Sequence, residues 1–116
     1  MLKIDKCGNI SITQGDSGLI KQTLYIDASK TNIFKLSDGE TVVFSVREIA
    51  GGEPVIEKRT AEQHEDGSVL FYFTAQETAA LAIGEYVYDT ALLGDSQDRK
   101  NTYAGGDKIK RTFSVV

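Results

Sequence analysis

Short stretches in which apolar and polar residues alternate recur along this 116-residue chain at intervals of about ten residues. The clearest is "TVVFSVREI" at 41–49, where Val42, Phe44 and Val46 share one side and β-branched or aromatic residues dominate. Alternation with a period of two is typical of a half-buried strand. Short strands at such regular spacing favour an all-β sandwich or barrel over βαβ units.

We therefore predict a single domain over residues 1–116, folded as an all-β, immunoglobulin-like antiparallel sandwich of seven to eight strands with one short helical turn near 76–82. The large apolar side chains on the inward faces are sufficient for one core without disulfides. The residues predicted to face that core are Ile10, Ile12, Ile20, Leu24, Ile26, Val42, Phe44, Val46, Val69, Phe71, Phe73, Tyr86, Tyr88, Leu92, Ile109, Phe113 and Val115.

The stretch "TAALAIGEYVYDTALL" at 78–93 begins with helical spacing and continues as an alternating strand. In immunoglobulin-like sandwiches the chain crosses between the sheets here, and a tyrosine near the start of the next strand bonds to upstream backbone. We expect Thr78 to cap the turn, Leu81 to enter the core, Gly84 to adopt a conformation closed to other residues, and Tyr86 to be the corner tyrosine. An amphipathic functional helix is the alternative, but the run is too short for an independent helix.

The charge and hydropathy of the chain argue against several classes of partner. The formal net charge is −4, and capture of a phosphate backbone needs clustered Lys and Arg, so we expect no nucleic-acid binding. No apolar run is long enough to span a bilayer, so we expect no membrane partner. "MLKIDKCGNI" lacks the apolar region of a signal peptide. We therefore expect a protein that stays in the cytoplasm or leaves it within a particle assembled there.

No catalytic or metal-binding set can be assembled from the sequence. "GDSG" at 15–18 resembles the nucleophile segment of chymotrypsin-like proteases, but the single histidine, His64, lies in a polar turn, so the segment reads better as a turn. The single cysteine, Cys7, cannot form an intrachain disulfide. The acidic turns at 65–67 and 95–98 do not match a calcium loop. We predict a non-enzymatic protein without a cofactor or metal.

Three stretches, "ISITQGDSGLI", "LSDGETVVFSVRE" and "ETAALAIGEYVYDTALL", followed by a closing strand, carry a family resemblance across nearly the whole chain. They resemble the small immunoglobulin-like domains of tail, baseplate and head-fibre proteins in phages and prophages of Gram-positive bacteria, including the N-terminal domain of upper baseplate proteins. The residues that match this pattern are Gln14, Gly15, Asp16, Asp38, Gly39, Gly84, Tyr86, Tyr88 and Asp89.

The resemblance implies a structural component of a virion that acts through protein surfaces, with other virion proteins or copies of itself as partners, including a homo-oligomer. Strands with two apolar faces must be covered by something. The candidate interface residues on this basis are Leu70, Tyr72, Val87 and Leu93. Coverage by loops of the same monomer is the alternative.

A second class of function is a carbohydrate- or cell-surface-binding module on the same sandwich. Tyr25, Tyr72 and Tyr103, together with the loop at 94–106, would form the sugar site, and a glycan of the host surface would be the partner. Exposed, clustered aromatic side chains would favour this reading over the structural one.

Overall fold

The computed structural model describes residues 2–5, 8–25, 32–93, 100–102 and 111–116, and for residues 93 and 100–102 the description covers the backbone. In chain order the elements are β1 Lys3–Ile4, β2 Ile10–Ile12, β3 Gly18–Thr23, β4 Thr41–Arg47, β5 Pro54–Thr60, β6 Ser68–Phe73, α1 Ala75–Ala79, β7 Gly84–Leu93, β8 Lys100–Thr102 and β9 Arg111–Val115. Strands β2 to β7 and β9 make up seven of the described strands, within the predicted number of seven to eight, while β1 and β8 are too short to carry an alternating pattern.

The strands form two sheets, as predicted for an all-β sandwich. The larger sheet has the order β1-β2-β9-β7-β4-β5, and β8 also pairs with β7. The smaller sheet is the antiparallel pair β3-β6. The prediction of a wholly antiparallel sandwich is wrong at one pair, because β2 runs parallel to β9, with Ile10 opposite Phe113. These two strands lie at opposite ends of the chain, so no hairpin fixes their relative direction.

The core lies between the two sheets and is rich in aromatic rings. Phe44 of the larger sheet lies 5.3 Å, between ring centroids, from Phe71 of the smaller sheet and 4.9 Å from Tyr88. Every predicted core residue that the structure describes is buried, whereas Ile26 and Ile109 lie outside the described residues. Ile56 of β5 also belongs to this core, although it was not among the predicted core residues.

Helix α1 makes the crossover from β6 to β7, and it begins earlier than predicted. Its N-cap is Thr74, whose side chain accepts from the Glu77 N–H at 3.1 Å while Glu77 Oε1 accepts from the Thr74 N–H at 2.9 Å. This is a capping box, which the spacing of "TAQE" encodes. The expectation that Thr78 caps the turn is therefore wrong, because Thr78 lies within the helix and is fully buried.

Candidate functional site

The turn that follows β2 is fastened to the crossover by side chains of both segments. The Thr78 hydroxyl donates to the Asp16 carbonyl at 2.7 Å and accepts from the Gly15 N–H at 3.1 Å. Gln14 Nε2 donates to the Leu81 carbonyl at 2.7 Å. Two groups of residues singled out from the sequence, the "QGD" turn and the crossover, thus meet here. Their contacts hold the fold together, since every bond joins one part of the chain to another.

Tyr86 and Gly84 lie at the start of β7, and the structure agrees with the expectation for Tyr86 but not with that for Gly84. The Tyr86 hydroxyl donates to the Ala82 carbonyl at 2.7 Å, an upstream backbone partner of the kind expected for a corner tyrosine. The expectation for Gly84 is wrong, because the glycines with positive φ are others and a Cβ at Gly84 would meet no atom within 4 Å. Gly84 pairs with Val115 as an ordinary strand residue.

Two further residues of the family pattern also make structural contacts. The Tyr88 hydroxyl donates to the Gly8 carbonyl at 2.5 Å and so ties the segment before β2 to β7. Burial raises the pKa of this phenol. Asp89, on the opposite face of β7, accepts from Arg47 at 2.7 Å. Both contacts therefore join one part of the chain to another.

Gln63 joins the segment after residue 32 to the loop between β5 and β6. Its Oε1 accepts from the Leu36 N–H at 2.9 Å, and its Nε2 donates to the carbonyls of Phe34 at 2.7 Å and Gly67 at 3.0 Å. An amide side chain can accept and donate at once, so Gln63 satisfies backbone groups of both segments. No motif in the sequence indicated this role of Gln63, because Phe34 and Leu36 are remote from it along the chain.

A recess of about 420 Å³ lies beside Gln63, which contributes to its lining. Its lining mixes cationic and anionic side chains, among them Lys35, Asp38 and Glu65, and His64 also contributes. The His64 side chain is exposed, and its backbone N–H donates to the Ser68 carbonyl at 2.8 Å. His64 therefore occupies a turn, as the sequence indicates.

The predicted interface residues do not form one surface. Leu70 and Tyr72 lie on the outer face of β6, where they are 36% and 55% exposed. Val87 lies on β7, which belongs to the other sheet, and Leu93 ends β7 with only its backbone described. Alternation reveals which residues share a face of one strand but not which sheet that strand joins, so the sequence could not show that these residues lie on different sheets.

Leu19, which was not among the predicted interface residues, forms one apolar surface with Leu70 and Tyr72. It lies directly opposite Tyr72 in the β3-β6 ladder and is 54% exposed. We call Leu19, Leu70 and Tyr72 the β3-β6 face. Lys21, opposite Leu70, pairs with Asp66 at 2.9 Å at its margin. This face has the properties of a contact site, since apolar side chains from both strands of one sheet are exposed next to each other.

The two described tyrosines of the predicted sugar site, Tyr25 and Tyr72, are not brought together. Tyr25 lies six residues from Leu19 along the chain, and Leu19 is opposite Tyr72, so the two tyrosines are separated by roughly 20 Å at the usual rise per strand residue. Tyr103 lies outside the described residues, as do Cys7 and most of the loop at 94–106. The described tyrosines thus provide no shared platform for a sugar ring.

No group of three or more His, Cys, Asp or Glu side chains among the described residues is arranged to hold a metal ion. None of the described helices has the length and apolar character needed to cross a membrane. Comparison of the chain with protein-family models, with curated proteins and with solved structures finds no match.

Proposed function

We propose that this chain is a non-enzymatic structural component of a phage or prophage virion, in a tail, baseplate or fibre, and that it acts as an assembly or attachment module through protein-protein contacts. The particle is assembled in the cytoplasm of the bacterial host, and the partners are other virion proteins or copies of the chain. The single observation that carries the proposal is the exposed β3-β6 face.

The strand connectivity supports the immunoglobulin-like part of this proposal. In variable-type immunoglobulin domains one sheet contains strands G, F, C and C′ in that order, and strands B and E pair in the other. The order β9-β7-β4-β5, with β3-β6 opposite, is the same if β3 is equated with B, β4 with C, β5 with C′, β6 with E, β7 with F and β9 with G. Tyr86 then lies near the start of the F strand, where the tyrosine corner belongs.

The distribution of contacts supports a role through surfaces. The polar residues of the family pattern on the turn after β2 and on β7 bond to the chain itself, as Gln14, Tyr86 and Asp89 do. The apolar side chains of Leu19 and Tyr72 point away from the core and contact solvent. Exposed apolar side chains on one sheet are typical of a surface that another protein covers.

Mass spectrometry of purified particles tests the proposal. Particles released from the source strain after prophage induction should contain the chain at a fixed ratio to the other tail or baseplate proteins. The chain should stay with the particles through a density gradient and a salt wash. Its recovery only in the soluble cell fraction, with tail proteins detected in the same particles, would contradict the proposal. Retention on a glycan array by the chain alone would favour the carbohydrate-binding alternative.

A further inference from the structure

The hydrogen bonds of the smaller sheet reveal which backbone groups of β3 face β6. The Leu24 N–H donates to the Gly67 carbonyl at 3.1 Å, and this pair continues the register of the β3-β6 ladder by one residue. Hydrogen-bonded and non-hydrogen-bonded pairs alternate along an antiparallel ladder. Ile20 and Gln22 therefore direct their N–H and C=O groups toward β6. Ser68 agrees with this assignment, because its carbonyl accepts from a residue outside the ladder.

The same alternation directs the remaining backbone groups of β3 to the side opposite β6, where no described strand pairs with it. Leu19, Lys21 and Thr23 direct their backbone groups away from β6, and within residues 8–25, 32–92 and 111–116 no hydrogen bond reaches these groups. Unpaired N–H and C=O groups at a spacing of two residues are a template for another strand. The exposed side chain of Leu19 lies beside this template.

The other described edges are protected in ways that the edge of β3 is not. β5 begins with Pro54, which has no N–H, and it continues with the consecutive charges of Glu57, Lys58 and Arg59. On the side of β6 that faces away from β3, the Ser68 carbonyl already accepts from the His64 N–H, and Lys58 Nζ lies 5.7 Å from the ring centroid of Phe73 at the end of the strand. β1 has only two residues. β3 is thus the described strand best suited to accept a neighbour.

We propose that β3 pairs antiparallel with β3 of a second copy of this chain, about a two-fold axis at Ile20. An axis at Ile20 or at Lys21 leaves five of the six residues of Gly18–Thr23 paired, whereas an axis at Leu19 or Gln22 leaves three. The axis at Lys21 places two lysines directly opposite each other, and like charges there are destabilising. The axis at Ile20 places Leu19 opposite Lys21 of the second copy.

This arrangement also covers the exposed Leu19. The aliphatic stem of Lys21 from the second copy lies over the leucine while its ammonium group stays in water. The two Leu19 side chains become diagonal neighbours, so the β3-β6 faces of both copies join into one apolar surface on a four-stranded sheet. A partner of different sequence would lack this reciprocal match between Leu19 and Lys21.

The dimer is expected to be weak as an isolated species. Pairing of two short edges buries less surface than a standard stable interface. Repetition of the chain in a particle raises the effective concentration and compensates for low intrinsic affinity. The proposal that the partner strand comes from a second copy rests on the proposed role as an assembly module. The unpaired backbone groups of β3 are an observation that does not depend on that role.

Sedimentation velocity of charge variants at position 19 tests the register. The wild-type sedimentation coefficient should rise with concentration. Leu19→Glu should lower the dimer dissociation constant several-fold, because each new glutamate faces Lys21 of the second copy, and Leu19→Lys should raise it several-fold. Ile83→Lys, at a site 67% exposed and remote from β3 in sequence, should leave it unchanged. Equal weakening by glutamate and lysine, or a wild-type chain that stays monomeric at all concentrations, would overturn the proposal.

Amide hydrogen exchange provides a second readout that does not depend on a substitution. Protection of the Leu19 and Lys21 amides should increase with protein concentration, while the Ile20 and Gln22 amides, already bonded to β6, should not change. Protection that is independent of concentration at Leu19 and Lys21 would rule out the pairing. If the chain forms the β3 dimer but never associates with particles, this inference stands and the proposed function is wrong. If the chain is bound to particles but its Leu19 and Lys21 amides stay unprotected, the proposed function stands and this inference is wrong.

Discussion

Among the residues of the chain, two glycines have opposite structural demands. Gly67 has a φ of 86°, and a Cβ there would lie 2.4 Å from Ile33 Cγ2. Gly84 has room for a Cβ and needs no positive φ. Gly51 is intermediate, since its φ is 81° but nothing lies within 4 Å of its Cβ position. These three positions separate the cost of backbone conformation from the cost of a steric clash.

Gly67→Ala is expected to be the most destabilising of the three alanine substitutions. The left-handed conformation costs about 1–2 kcal/mol for a non-glycine residue, and overpacking adds about 1–3 kcal/mol. Gly51→Ala should incur only the first cost, and Gly84→Ala should be neutral or stabilising by about 0.4–1 kcal/mol. Urea denaturation measures all three. Equal losses for Gly67→Ala and Gly84→Ala would contradict the placement of Gly67 against Ile33.

Tyr86 is the second position at which a single atom can be tested. Tyr86→Phe should lower the free energy of unfolding by about 0.5–1.5 kcal/mol, the net value of one hydrogen bond, because it removes the donor to the Ala82 carbonyl. Tyr72→Phe is the matched control, since the Tyr72 side chain is exposed. Urea denaturation curves that are superimposable for wild type and Tyr86→Phe would argue against a structural role of this bond.

At the scale of elements, helix α1 depends on one carboxylate with two partners. Glu77 Oε1 accepts from the Thr74 N–H, and its Oε2 pairs with Lys58 of β5. The pairing with Lys58 and the bond from Thr74 hold the pKa of Glu77 below its usual value. A helix of five residues is too short to form alone, so these contacts and its packing fix it between the sheets.

The lowered pKa of Glu77 predicts a loss of stability in acid. A carboxyl whose pKa is lower in the folded state contributes stability above its unfolded value, near 4.3, and this contribution is lost as the pH falls through the folded value. Glu77→Gln keeps an oxygen for the Thr74 N–H but removes the charge, so the acid-dependent loss between about pH 5 and pH 3 should shrink. Denaturation of both proteins at pH 7 and pH 3.5 measures this difference. An identical pH dependence would contradict the role of Glu77.

Gln63 is expected to hold the segment at 32–40 against the rest of the fold. Gln63→Ala should lower the free energy of unfolding by about 1–3 kcal/mol, because it leaves backbone groups of Phe34 and Leu36 without these partners. The Leu36 amide should exchange faster with solvent. Gln76→Ala, at an exposed position of α1, is the control and should have little effect. Unchanged exchange at Leu36 would show that other contacts hold the segment.

For the whole molecule, the period-two pattern was sufficient to predict the core and the two-layer class. The large side chains of β4, β6 and β7 are buried where alternation places them, as Phe44 and Phe71 illustrate. Burial follows from local sequence because each strand has one face toward the same interior. The parallel pairing of β2 with β9 could not be predicted in this way, since it joins segments about 100 residues apart.

The contact surface was only partly predictable for the same reason. Leu70 and Tyr72 were found because β6 is apolar on both faces, but Leu19 became part of the surface only through its register opposite Tyr72. Thr78 was recognised as special, yet its partners on the turn after β2 lie more than 60 residues away. Side chains that bond to remote backbone carry no local signature of those partners.

Hydroxyl-radical footprinting of the chain alone and in purified particles most directly tests the claim that the β3-β6 face is the working surface. Leu19, Leu70 and Tyr72 should be modified readily in the dilute chain and should become protected in the particle. Ile49 and Ile83, which are 69% and 67% exposed at other places, are the reference sites and should keep their reactivity. Protection of Ile49 and Ile83 with unchanged modification of Leu19 and Tyr72 would contradict the account.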